Sequence, residues 1–137
     1  MFAEQIAADC REYDDYTVNI VVSGDDSIPR AFDTINCVGG FKTTMNMVWN
    51  IGIKKAYIFN IPRHVRASTR DEAIRAIAYI KKGFLWRCRG GFKDKLFDPP
   101  QVWVFVTDMP SDTVLKKRWK YWRICPDTLK LEIIDWH

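Results

Sequence analysis

The chain has 137 residues, 47% of them hydrophobic and 14% aromatic, and carries a formal net charge of +4. That length sustains one domain with an apolar core, and the composition excludes a disordered or disulfide-stapled chain. Four scattered cysteines (Cys10, Cys37, Cys88, Cys125) and two histidines lack paired ligand spacing, so the thiols read as reduced core residues rather than a zinc cluster.

Taken in chain order, Phe2, Ile6, Cys10 and Tyr13 recur at helical spacing and predict a short amphipathic helix. The opening "MFAEQIAADC" lacks the basic region and apolar stretch of a secretory signal, and no apolar run approaches the roughly 20 residues of a membrane span. An intracellular protein without a membrane partner is expected. The β-branched run from Thr17 to Val22 predicts a buried strand, stopped by the turn residues of "SGDDS". From Ile28 to Asn50 the pattern is mixed and predicts no definite element. Within it "GGFKTT", residues 39–44, lacks the G-x-x-x-x-G-K-[ST] spacing of a phosphate loop, because Phe41 separates Gly40 from Lys42. It reads as a glycine turn.

Lys55 to Asn60 predicts a second strand, closed by Pro62. Thr69 and Glu72 have capping-box spacing, Ile74, Ile77, Ala78 and Tyr79 lie largely toward one side, and Gly83 sits where a helix would end. Residues 84–97, "FLWRCRGGFKDKLF", predict a hairpin about Gly90-Gly91. Gln101 to Thr107 is almost uninterruptedly apolar and predicts a central strand covered on both faces. Leu129 to Ile134 predicts a last strand. This order fits an α/β fold, one domain over residues 1–137, with a mostly parallel sheet.

Three groups of residues could carry function. Arg87, Arg89, Lys93 and Lys95 are interleaved with Trp86 and Phe92, and such a hairpin can neutralise phosphates and stack bases. The same charges also suit a solvated edge that resists aggregation. Asn60 and Thr107-Asp108 follow strong apolar strands, where open α/β sheets place ligands, although strands also simply end in polar turns. Arg118, in "KKRWKYWR", is either a phosphate-facing arginine or one member of a basic face; Trp119 and Trp122 read as core or interface anchors. Basic residues crowd into 81–95 and 116–123, whereas the N-terminal quarter is acidic, which suggests a polyanion-facing half. No Ser-His-Asp, Cys-His or paired-carboxylate arrangement is visible.

Together, "YIFNIPR", "AIRAIAYIKKGFLWRCRGGFK" and "PPQVWVFVTDMPSDTVLKKRWKYWRI", with "GGFKTTMNMVW" ahead of them, resemble the C-terminal ATPase domain of replication-associated (Rep) proteins of circular single-stranded DNA viruses, of the nanovirus and satellite type. The resemblance covers roughly residues 39–124. It implies a superfamily 3 helicase domain on a P-loop NTPase (AAA+-like) sheet with an inserted β-hairpin, single-stranded DNA as partner, and the host nucleus as its place of work. It also implies ATP and magnesium as cofactors. Asn60 stands where the Walker B strand ends in Asp, Thr107 where motif C has Asn, and Arg118 where the family has an arginine near the nucleotide. Arg89 and Gly90 replace the Lys-Tyr pair of the DNA-contacting hairpin, and Lys117 replaces an Asp. The family requires Asn60 and Thr107 to lie together at one end of the sheet.

"FAEQIA" resembles the helix after the phosphate loop, so the sheet is expected to lack the P-loop strand and to expose an edge in its place. An amide cannot supply the charge that holds magnesium, and Thr is shorter than Asn. The resemblance therefore implies a domain impaired in ATP hydrolysis by itself, working as a homo-oligomer or beside a separate P-loop or endonuclease half. A second reading is a non-catalytic nucleic-acid or protein interaction module that reuses the scaffold.

Overall fold

Two apolar runs set the middle of the sheet. In a computed structural model, which describes residues 18–22, 34–87, 93–107, 119–124 and 131–136, they form β1 (Val18–Val22) and β6 (Gln101–Val106). These strands pair in parallel, with Val18 opposite Val102 and Val22 opposite Val106. On the far side of β6 lies β3 (Ala56–Ile61), also parallel, and beyond it the two-residue β2 (Ile35–Asn36). On the far side of β1 lies β7 (Lys120–Ile124), parallel again, and antiparallel β8 (Leu131–Trp136) forms the other edge. The order is β2-β3-β6-β1-β7-β8, an α/β sheet of five parallel strands with one antiparallel edge. The predicted N-terminal helix lies outside the described residues.

Burial on both faces explains why β1 and β6 show no polar alternation. One face (Ile20, Phe59, Val104, Tyr121) joins Met45, Val48, Ile74 and Ile77 in the main core. On the other face Val21, Trp103, Phe105 and Trp122 are also buried. Among them is one amide. Asn19, fully buried in β1, donates from Nδ2 to the Val102 carbonyl at 3.4 Å and accepts from Trp122 Nε1 at 3.2 Å. Its side chain thus touches both neighbouring strands.

Two helices lie on the core face. The first, α1 (Phe41–Ile51), occupies the stretch whose pattern looked mixed: Thr44, Met45 and Val48 face inward, and Gly52 at φ +98° ends it. Tyr57 closes that end by donating to the Gly52 carbonyl at 2.7 Å and accepting from the Lys54 N–H at 2.9 Å. The second, α2 (Ala67–Lys81), starts before Thr69, with Arg66 at the cap and no side-chain capping bond. The capping box is therefore not used, and Glu72 instead pairs with Arg75 at 2.8 Å. Ile74 and Ile77 are buried as predicted, but Tyr79 points outward, 47% exposed.

The expected hairpin forms a separate two-stranded sheet, β4 (Phe84–Arg87) and β5 (Lys93–Leu96), in which Phe84 stands opposite Leu96 and Arg87 opposite Lys93. Its root is Gly83, at φ +83°, where an added Cβ would stand 2.0 Å from the Phe97 carbonyl oxygen. Only glycine fits there. The Gly83 carbonyl accepts from the Phe97 N–H at 2.9 Å, closing the hairpin directly against the end of α2.

Some expectations need correction. The sheet does not show an exposed edge for want of a leading strand: β1 is internal, hydrogen-bonded on both sides. Trp119 and Trp122 are buried, in keeping with their reading as anchors, and within the basic stretch 116–123 Lys120 is buried as well. Lys81, counted in the basic half, is buried with its ammonium donating to the Pro100 carbonyl at 2.6 Å. The last strand is described over Leu131–Trp136, against the predicted Leu129 to Ile134.

Replacing Asn19 with Leu strands the buried Trp122 indole N–H and should cost about 1–3 kcal/mol. In urea titrations, Asn19→Leu/Trp122→Phe should lose about 1 kcal/mol less than the two single losses together. Strict additivity would show that the amide does not couple the strands.

Candidate functional site: strand ends and a basic hairpin

Chain order reverses direction at β1, with β6 on one side and β7 on the other, so the carboxyl ends of these strands flank the switch point where open α/β sheets bind ligands. Asn60 pairs with Phe105 and Ile61 with Val106, so Asn60 and Thr107 stand at the same end of adjacent parallel strands. Their surroundings differ. Thr107 is buried, whereas Asn60 is partly exposed and donates from Nδ2 to Asn36 Oδ1 at 3.0 Å. The Asn60 carbonyl accepts from the Cys37 N–H at 2.8 Å. Asn60 is thus fastened to β2 through its side chain and, just beyond that strand, through its backbone.

Magnesium takes hard oxygen ligands, carboxylates foremost. The described side chains at this end (Asn36, Asn60, Arg63, His64 and Thr107) offer amides, a hydroxyl and basic groups. They do not fit a magnesium–nucleotide site, and no magnesium-assisted step can be built on them. Asp108 and Arg118 lie outside the described residues.

An open groove of about 770 Å³ borders the β2 edge, lined by residues including Asn36, Asn50, Ile51, Lys54 and Ile58. The hairpin residues are not among its described lining.

The hairpin presents a different chemistry. Arg87, at the end of β4, places its guanidinium carbon 4.9 Å from the centre of the Trp49 ring; Lys95, in β5, places Nζ 4.2 Å from the same centre. Trp49 belongs to α1, so one indole anchors both strands of the hairpin to the helix. Each contact contributes about 0.5–1 kcal/mol. The two cations are at most twice such a distance apart, where their repulsion is on the order of 2 kcal/mol at an effective dielectric of about 20. Among the described residues neither enters a salt bridge, and the buried Nε of Arg87 has no hydrogen-bond acceptor.

Trp86, expected to be free for base stacking, instead packs edge-on against Phe41 with centroids 5.4 Å apart and against Phe84 at 6.3 Å. It is partly buried. The backbone of Lys93 pairs with Arg87; Arg89 and Phe92 lie outside the described residues. Sequence reading missed Trp49. The spacing Phe41, Met45, Val48, Trp49 was the available signal, obscured by Gly39-Gly40 and the β-branched Thr43-Thr44.

Comparisons with family models, curated proteins and solved structures find no match to this chain.

Burial pushes the Cys37 thiol up to about 12. The unfolded thiol ionises near 9, so the native state holds an extra proton between pH 9 and 12 and loses stability as pH rises through that window. The stability advantage of the wild type over Cys37→Ala should shrink by about 1.4 kcal/mol per pH unit above 9. A pH-independent difference in chemical denaturation would contradict this assignment.

Proposed function

We propose that this chain is a Rep-like helicase/ATPase domain that does not hydrolyse ATP by itself and that binds single-stranded DNA through the β4–β5 hairpin. The observation that carries the reading is the placement of Asn60 and Thr107 at one end of adjacent parallel strands, as the resemblance requires. The basic hairpin, with cations that lack acidic partners among the described residues, supports the DNA assignment.

On this reading β1 takes the place of the P-loop strand, since it lies at the switch point, and a phosphate loop would follow Val22. The residues there read "SGDDS", which lack G-x-x-x-x-G-K-[ST] and bring two carboxylates where phosphates would need cations. Loss of catalysis thus extends across the loop, the Walker B position at Asn60 and the motif C position at Thr107. A non-catalytic interaction module on the same scaffold differs in expecting no missing motor half. A separate chain that supplies the phosphate loop and restores ATP turnover would favour the motor reading.

Fluorescence anisotropy with a labelled single-stranded oligonucleotide should show binding that weakens steeply with salt. Arg87→Ala/Arg89→Ala/Lys93→Ala should lower the slope of log K against log salt by about 2, at roughly 0.7 for each phosphate that is no longer neutralised. An unchanged slope in a folded variant would remove DNA binding from the hairpin.

ATP turnover should be absent from the wild type and from Asn60→Asp alike, because one restored carboxylate leaves the loop unchanged. The carboxylate can keep its tie to β2, since the Asn36 amide can turn its NH2 toward it. Turnover in Asn60→Asp would show that a phosphate-holding loop is present after all.

A further inference from the structure

We propose that Trp49 joins Arg87 and Lys95 into a two-cation clamp for one phosphate of a single-stranded nucleic acid, which makes α1 part of the binding surface. The inference rests on the assignment of the hairpin to DNA and adds a residue from a separate element. Three observations converge. Both cations lie within 5 Å of one indole centre, though 38 and 46 residues away in sequence. Neither has a carboxylate partner among the described residues. Arg87 Nε is shielded from water yet lacks an acceptor.

A buried guanidinium N–H without an acceptor is costly, and like charges gathered on one ring repel. A phosphate relieves the repulsion: its oxygens accept from the Arg87 and Lys95 head groups, and its charge offsets theirs. A Trp ring cannot neutralise the cations, but its negative face holds two flexible side chains in place before the ligand arrives, which lowers the ordering cost of binding. Trp49 is then a positioning residue rather than a base-stacking platform.

The test compares Trp49→Leu, Trp49→Phe and Arg87→Ala/Lys95→Ala in binding fluorescein-labelled oligothymidylate over a salt series, with urea midpoints recorded for each. Trp49→Leu should weaken low-salt binding about tenfold and flatten the salt slope as the double variant does; Trp49→Phe, which keeps an aromatic face, should retain most of both. In the Arg87→Ala/Lys95→Ala background Trp49→Leu should add nothing.

If Trp49→Leu fails to fold, 5-fluorotryptophan labelling and ¹⁹F NMR give the answer instead. The Trp49 resonance, identified by Trp49→Phe, should shift with oligothymidylate in the wild type and not in Arg87→Ala/Lys95→Ala. Wild-type binding that the double variant weakens but folded Trp49→Leu leaves intact overturns the clamp alone, as does full additivity of the two or an unmoved Trp49 resonance. No wild-type binding at low salt overturns both the clamp and the DNA assignment.

Discussion

The sheet depends on one buried amide. β1 and β6 are so uniformly apolar that hydrophobic pattern alone leaves their mutual register weakly marked: a two-residue slip would still set Val, Ile and aromatic side chains against one another. Asn19 marks the alignment on the β7 side. Its Oδ1 accepts from the Trp122 indole, which a slipped β7 would not present, while its Nδ2 reaches a β6 carbonyl. A slipped pairing would leave a buried polar group unmet, a cost comparable to a large share of a small domain's stability. The rest follows from this alignment, because β3 takes its register from β6 and β8 takes its from β7.

The parts of the fold legible in the sequence were those with a strong local signal. β1, β3, β6 and the hairpin announced themselves through β-branched or apolar runs punctuated by Pro and Gly, and α2 through the spacing of Ile74 and Ile77. The parts that were not legible depend on tertiary context. Lys120 and Arg123 disguised β7 as a charged tract, although Lys120 is buried with its ammonium 5.0 Å from the Trp122 ring centre. The glycines and threonines around α1 lowered its local helix preference, which packing of Met45 and Val48 overrides. The capping box failed because the chain turns into α2 earlier, where the Val65 N–H bonds the Pro62 carbonyl at 3.2 Å.

The candidate site divides the same way. Asn60 and Thr107 could be placed from sequence because each ends a clear strand, and parallel pairing then brings the ends together. The hairpin cations were visible, but their approach to Trp49 was not, since no local pattern links α1 to residues so distant in the chain. The amide link between Asn60 and Asn36 was equally hidden, because a two-residue strand such as β2 leaves almost no periodic trace.

The way the hairpin is rooted has a mechanical consequence. It belongs to its own two-stranded sheet, closed at its root by the Gly83–Phe97 bond and held to α1 by the Trp49 contacts and the Trp86–Phe41 ring pair. A pull applied at the hairpin tip is therefore shared between α1 and the start of β6, a strand held on both sides by parallel neighbours. Those hydrogen bonds would be loaded together, in shear, instead of being peeled apart one after another from an edge. The domain is built to bear tension at its middle.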